Sequence, residues 1–276
     1  LGIGVPGPVE FRTGHPISPP IMPGWEGYPV RERFSERHNV PVWVDNDVHI
    51  MALGEWRAGL AQGHDDFMFV KVGTGIGCGL VSNGRIHRGA QGSAGDIGHV
   101  QVASDDRQIC RCGKVDCLES HAGGAALARE GRRLAESGES ERLAEILADR
   151  GDITAREVIR AARVGDPASV RLLDDSARLV GQTLASLANF FNPSLMVIGG
   201  GVTHAGDAYL ATIRQVIYAR STALATRELL VQLSRLGNRA GVIGAASMVL
   251  DELFSARQLA RWIDHGRPTA LLEAAA

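Results

Sequence analysis

The chain has no apolar run approaching the length needed to span a bilayer, and almost no excess of charge, with a formal net charge of −2. The first absence predicts no membrane partner. The second leaves no basic field of the kind that marks a nucleic-acid binder. An initiator Met is also missing: the chain opens on Leu1-Gly2-Ile3-Gly4-Val5-Pro6-Gly7, without the basic and apolar regions of a signal peptide. It therefore reads as the downstream part of a longer protein. Cysteine is scarce, 4 in 276 residues, which fits a reducing, cytoplasmic setting. What remains is ordinary for a globular protein, with 45% hydrophobic and 22% charged residues and enough length for a large core in two lobes.

Three of those cysteines cluster as Cys110-Arg111-Cys112-Gly113 and Cys117-Leu118-Glu119, a short way past Gly98-His99. Together His99, Cys110, Cys112 and Cys117 can complete a closed tetrahedral zinc shell, with no position left for a reacting water. Such a metal would staple a loop carrying Asp96, His99 and Glu119. Polar side chains on a rigid loop suggest a small-molecule site rather than metal catalysis. The plainer alternative is three unligated buried thiols beside an ordinary histidine; the clustering favours zinc. Cys78, in an apolar run, reads as an inert core residue.

Pro6-Gly7-Pro8 ends the opening strand, and a loop rich in Pro and Gly follows through Pro29. Val30 to His38 suits a short helix and Val42-Trp43-Val44 a buried strand. Asp45-Asn46-Asp47 then opens a helix to about Leu60. Phe67 to Val72 is an apolar strand that meets Gly73-Thr74-Gly75-Ile76-Gly77-Cys78-Gly79, and Asn83-Gly84 signals a hairpin. No helix follows these glycines, which excludes the nucleotide motif of a strand–loop–helix unit. Helices dominate from Ala122 to Phe191. The clearest starts at Asp166-Pro167 and carries a core stripe of Leu173, Ala177, Val180, Leu184, Leu187 and Phe191. Leu195 to Ile198 is a buried strand leading into Gly199-Gly200-Gly201. Further elements are expected at about 207–220, 229–233 and 239–254. Strands alternating with crossover helices argue an α/β fold, and no internal repeat is visible.

Asp47 is the candidate catalytic base. A carboxylate at a helix start, beside the amide of Asn46, can bind a sugar hydroxyl and accept its proton, as phosphoryl transfer requires. The same pair also serves as an ordinary helix cap. The Gly73–Gly79 turn offers backbone amides and the Thr74 hydroxyl to a phosphate, or is glycine-rich for steric reasons alone. Gly199 and Gly200 could let a nucleotide approach, or simply make a tight turn.

Residues 44–55, 70–80, 89–99, 110–119 and 197–202 together resemble the ROK family of sugar kinases and sugar-responsive repressors. The most specific part is Gly95-Asp96-Ile97-Gly98-His99 followed by the cysteines. The resemblance implies a two-lobed hexokinase/actin-like (ribonuclease H-like) fold, here incomplete at its amino terminus. Residues 1–62 would be a remnant of the small lobe, with a carboxy-terminal helix (about 241–276) packing back towards it, and 63–240 the large lobe. It also implies that Asn46, Asp47, Asp96, His99 and Glu119 contact sugar hydroxyls in a cleft, with Asp47 the base in kinase members. Gly73, Thr74, Gly75 and Gly77 would sit near ATP phosphates, and the assembly would be a homo-oligomer.

Three features depart from the family pattern. Val48-His49 follows Asn46-Asp47 where Asn-Asp-Ala-Asn is usual, Asp96 replaces a Glu, and the Asp-Gly-Gly-Thr motif of the phosphate hairpin is absent. Two functions follow. The first is the sugar sensor of a repressor that would reach DNA only through an upstream domain. The opening Gly4-Val5-Pro6-Gly7-Pro8-Val9, the loop through Pro23-Gly24-Trp25 and the stretch from Leu253 to Trp262 resemble the regulator branch of the family, and that resemblance favours it. The alternative is an ATP- and Mg-dependent sugar kinase of glucokinase or N-acetylhexosamine kinase type.

Overall fold

The computed structural model describes residues 1–102 and 107–265. Along the chain run β1 (Gly2–Val5), β2 (Val9–Glu10), β3 (His15–Pro16), α1 (Val30–His38), β4 (Trp43–Asn46), α2 (Asp47–Ala58), β5 (Phe67–Val72), β6 (Ile76–Ser82) and β7 (Arg85–His87). After them come α3 (Leu118–Ala122), α4 (Gly124–Glu136), α5 (Glu141–Arg150), α6 (Ala155–Arg163), α7 (Pro167–Phe191), β8 (Leu195–Gly199), α8 (Asp207–Arg220), α9 (Ala223–Thr226), β9 (Leu230–Leu233), α10 (Arg239–Leu253) and α11 (Ala256–His265). The α/β class expected from the sequence is the class observed.

Two compact units divide these elements. Of the described residues the first holds 1–65, 79–95 and 235–265, and the second 66–78, 96–102 and 107–234. This differs from the expected division at 62/63 because β6 leaves the second unit at Cys78 and joins the first from Gly79, taking the β6–β7 hairpin with it. The expected carboxy-terminal helix is two helices, α10 and α11, and residues 266–276 lie outside the described residues.

In the first unit β1 and β4 pair in parallel, with Gly4 opposite Asp45 and Val5 opposite Asn46. Val5, Val9, Val30, Val42 and Val44 form one buried cluster, and Ile50, Leu53 and Met248 a second, flanked by Phe11, Trp43, Trp56 and Ile86. Helices α2 and α10 cross at glycines. A Cβ on Gly54 would strike the Ala240 carbonyl, and one on Gly244 the Ile50 carbonyl. The two backbones therefore touch, which fixes α2 and the acidic residues at its start.

In the second unit β5, β8 and β9 are parallel in that order, with Lys71 opposite Gly199 and Ile198 opposite Leu233. Phe67, Met68, Phe69, Val70 and Leu195 to Ile198 are all buried, the near-continuous apolar run of strands covered on both faces. Asp166 caps α7 by accepting from the Ser169 amide at 2.9 Å, with Pro167 in the first turn. The α7 stripe is buried at Leu173, Ala177, Val180 and Leu184, but Leu187 and Phe191 are only partly buried; Ala185 and Ala188 take over the inward face. Among the described residues no helix is long and apolar enough to cross a membrane.

Because a methyl group at the α2–α10 crossing meets a carbonyl oxygen, Gly244→Ala is expected to destabilise the chain by about 2 kcal/mol. Helix propensity alone would favour Ala by about 1 kcal/mol. Denaturant unfolding reads the sign directly, and a stabilised variant would show that the crossing has room to spread.

Candidate functional site

Parallel strands end at one edge, and the chemistry gathers at those edges. In the first unit Asn46 is the cap of α2: its Oδ1 accepts from the Val48 amide at 2.9 Å and its Nδ2 donates to the Gly7 carbonyl at 2.6 Å. Asn46 thus performs the helix-cap role that its sequence position allows and ties the Pro-Gly loop to the strand end. Asp47 is the first residue of α2, partly exposed.

Behind this pair lies a network that sequence reasoning did not find. Asp45, only 1% exposed, accepts from the Asn46 amide at 2.8 Å and lies 2.9 Å from His49 Nδ1 through Oδ1, while Oδ2 accepts from Arg88 Nε at 2.8 Å. The Arg88 guanidinium sits over the Phe11 ring, 3.7 Å from its centroid. Burial works against ionising Asp45, but the hydrogen bond to His49 and the Arg88 charge outweigh it and hold the carboxyl below its ordinary value. The four-residue spacing of Asp45 and His49, with α2 opening between them, was the available signal; Arg88 has no local one.

In the second unit the His/Cys set expected from the sequence comes together. The ligand atoms of His99, Cys110, Cys112 and Cys117 all lie within 4.8 Å of one another. His99 Nδ1 is 3.6 Å from Cys110 Sγ, and Cys112 Sγ is 3.6 Å from Cys117 Sγ. Zinc bond lengths imply tetrahedral edges of about 3.5–3.8 Å, so the set fits that ion. Burial pushes the Cys110 and Cys117 thiols up from their ordinary values, and a divalent cation is what would draw off their protons. Gly113 turns the loop at φ +84°, and Asp116 braces it, accepting from the Gln108 amide at 2.9 Å and pairing with His121 Nε2 at 3.0 Å. Neither Asp116 nor His121 stood out in the sequence.

Around the cluster stand Asp96, exposed, with Oδ1 3.8 Å from His99 Nε2, and Glu119 on α3, with Oε1 3.9 Å from His99 Nδ1. Glu119 Oε2 accepts from the Ile76 amide at 3.3 Å, so the carboxylate anchors the end of the glycine turn. Asp96, His99 and Glu119 are therefore brought together.

The glycine turns are adjacent as well. Gly73 donates to the Gly75 carbonyl at 2.9 Å, and the Gly73 and Thr74 carbonyls accept from the Gly124 and Ala125 amides that open α4. Gly200 has φ +94°, and a Cβ there would strike the Val72 carbonyl; one on Gly199 would enter the Phe69 ring. Packing alone thus requires glycine at 199 and 200. Both turns nonetheless leave the carboxyl ends of neighbouring parallel strands, the edge at which open α/β sheets bind ligands. Cys78 is fully buried, and burial raises its thiol.

An α/β chain with a His/Cys cluster beside paired glycine turns fits the class that holds both sugar kinases and sugar-responsive regulators. The ROK family model matches residues 1–252, and the chain belongs to the ROK family. It is 37% identical to a glucokinase from Halalkalibacterium halodurans, over 90% of this chain and 75% of that protein. To a putative xylose repressor from a Caldicellulosiruptor species it is 34% identical, over 92% of this chain and 63% of that protein. The crystal structure of a ROK family glucokinase from Streptomyces griseus, in complex with glucose and AMPPNP, matches with TM-score 0.80 at 34% identity, covering 90% of this chain and 80% of that one. The hexokinase/actin-like fold is thereby shown.

Two outcomes follow. Purified chain is expected to carry about one zinc per molecule, and Cys112→Ser to lose it with loosening of residues 96–117; metal analysis and proteolysis check both. Metal-free protein with an equally resistant loop would count against the staple. Asp45→Asn is expected to cost about 3 kcal/mol at pH 7, since it leaves buried donors without their carboxylate. The lowered folded value means this stabilisation is complete above the unfolded aspartate value of about 3.9 and is lost as pH falls through the folded one. The gap between wild type and variant should therefore close only in acid.

Proposed function

We propose that this chain is the sugar-binding and nucleotide-facing part of an ATP-dependent hexose or N-acetylhexosamine kinase of the glucokinase type, working in the cytoplasm. The observation that carries this reading is Asp47, a carboxylate on the first turn of α2 at the carboxyl end of β4, beside an asparagine that already holds the helix start. Its carboxylate orients a sugar hydroxyl and takes the proton while that oxygen attacks the γ-phosphoryl group of ATP. The new O–P bond forms as the bond to the departing ADP breaks. Sugar contacts are assigned to Asn46, Asp47, Asp96, His99 and Glu119. The phosphates, with their Mg, are assigned to the edge formed by Gly73, Thr74, Gly75, Gly77, Gly199 and Gly200. Zinc at His99, Cys110, Cys112 and Cys117 is structural: it supplies cohesion to the loop that presents Asp96 and Glu119.

The sequence alone inclined towards the repressor sensor, on resemblances at residues 4–9, 23–25 and 253–262. The higher identity to a glucokinase than to a repressor supports the kinase instead. The sensor remains the second reading, favoured by the 34% identity to a putative xylose repressor across 92% of the chain. In it, sugar would shift an equilibrium between two states of the protein, and DNA would be contacted by a domain outside these residues. Both readings place the chain in a homo-oligomer.

The Asp-Gly-Gly-Thr motif is not among the 276 residues. Turnover is therefore assigned to protein that includes such a hairpin, and sugar binding to the chain alone. Calorimetry with glucose, N-acetylglucosamine, mannose and xylose, beside a coupled ATP assay on chain and full-length protein, tests this. In the full-length protein Asp47→Asn is expected to lower kcat by about a thousandfold while weakening sugar binding only modestly. Full-length protein without turnover, whose DNA binding responds to sugar, would make it a repressor.

A further inference from the structure

His49 stands where the family pattern has asparagine, and it is 1% exposed. Its Nδ1 lies 2.9 Å from Asp45 Oδ1 and its Nε2 lies 2.9 Å from the Ala94 carbonyl oxygen. A carbonyl can only accept. The Asp45 carboxyl already accepts from the Asn46 amide and from Arg88 Nε, so it too faces the ring as an acceptor. Both ring nitrogens must then donate, and a ring with two N–H groups is an imidazolium. Nearby charged groups include Asp47 in the first turn of α2, Arg88, which shares the Asp45 carboxylate, and Glu252 of α10, which interacts with Arg88, Asp45 and Arg31 of α1. The Asp45 carboxylate is thus bracketed by the His49 ring and Arg88.

The consequence is mechanical. Ala94 belongs to the segment that leaves β7 through Arg88 and runs through Gly95 directly into Asp96. Within that segment the Ala94 amide donates to the Arg88 carbonyl at 3.1 Å. Arg88 and Ala94, the two ends of this closed loop, are therefore both fastened to the Asp45–His49 pair, one by an ion pair and one by a ring N–H. Asp45 and His49 in turn flank Asn46 and Asp47. A neutral ring could satisfy only one of the two contacts.

We propose that His49 is a positioning residue for the sugar site: as a buried imidazolium it clamps residues 88–94 to the start of α2, holding the Asn46–Asp47 pair and the chain entering Asp96 in fixed geometry. This rests on the sugar reading above. It adds a residue that touches no substrate, and a charge state on which the site depends.

Three measurements on the full-length protein test it. Long-range proton–nitrogen NMR of the histidine rings at pH 7 should show both His49 nitrogens protonated. Glucose titration should give an affinity about tenfold weaker in His49→Gln, which retains a donor but loses the cation. Hydrogen exchange should quicken at residues 88–95 in that variant and stay unchanged in α7. If His49→Gln does not fold, Arg88→Gln removes another arm of the network at a residue 21% exposed and should weaken glucose binding about threefold. A ring carrying a single proton would overturn the proposal, as would a folded His49→Gln with wild-type affinity and exchange. Wild-type protein that binds none of glucose, N-acetylglucosamine, mannose or xylose would instead overturn the sugar reading, and the positioning role with it. Intact wild-type binding with an unaffected variant overturns the positioning role alone.

Discussion

Parallel pairing imposes one constraint that the other features inherit. Strands that run the same way finish at the same edge, and the chain must leave that edge through a turn or a helix start. β1 and β4 obey this in the first unit, so Val5 and Asn46 lie opposite each other and the Pro-Gly loop and the opening of α2 leave side by side. The Asn46 amide then bridges the two by reaching the Gly7 carbonyl. β5 and β8 obey it in the second unit, where the turns after Val72 and Gly199 are so close that a side chain at 200 would collide with the Val72 carbonyl. Polar backbone that emerges at such an edge has no strand partner left, and at Gly73 and Thr74 the amides that open α4 supply partners instead.

A second constraint concerns the loop that the sheets do not reach. Among its described residues the chain from Asp96 to Cys117 has one three-residue helical turn and two isolated bridges, Gln101 with Cys117 and Ile109 with Val115. Ile97 is buried but Ile109 is 79% exposed, so aliphatic burial orders only part of the loop. The rest of its order comes from polar contacts. The convergence of His99 and three thiols, the Asp116–His121 pair and the Glu119 contact to the Ile76 amide supply it. Glu119 links the two parts of this unit's chemistry, since one carboxylate faces both the metal-binding set and the end of the glycine turn.

How far these features were legible in the sequence depends on their range. Strands, helices and caps are set by residues within a few positions of one another, so Asp166-Pro167 and the apolar run from Phe67 announced themselves. The His99–Cys117 cluster was legible because three of its four residues are cysteines within eight positions, a short way past the histidine. The boundary at Gly79 was not, because a strand that serves both units has no break in its apolar pattern. Asp116 and His121 escaped notice because a brace five residues long looks like any polar loop. Arg88 was out of reach, since its partner lies 43 positions away.

The Asp45–His49–Arg88 network also shows what a departure from a family pattern can mean. Well-packed apolar residues of similar volume are often as stabilising as a buried ion pair or more so. Stability alone therefore gives no reason to place a buried Asp–His pair and a part-buried arginine behind a helix start. Direction does: an apolar contact tolerates sliding, whereas two ring N–H groups aimed at two acceptors do not. At the end of a strand, beside Asn46 and Asp47, fixing the orientation of residues 88–94 is a service that hydrophobic packing performs poorly. His49 is therefore better understood together with Asp45 and Arg88, as one charged unit, than as a substituted asparagine.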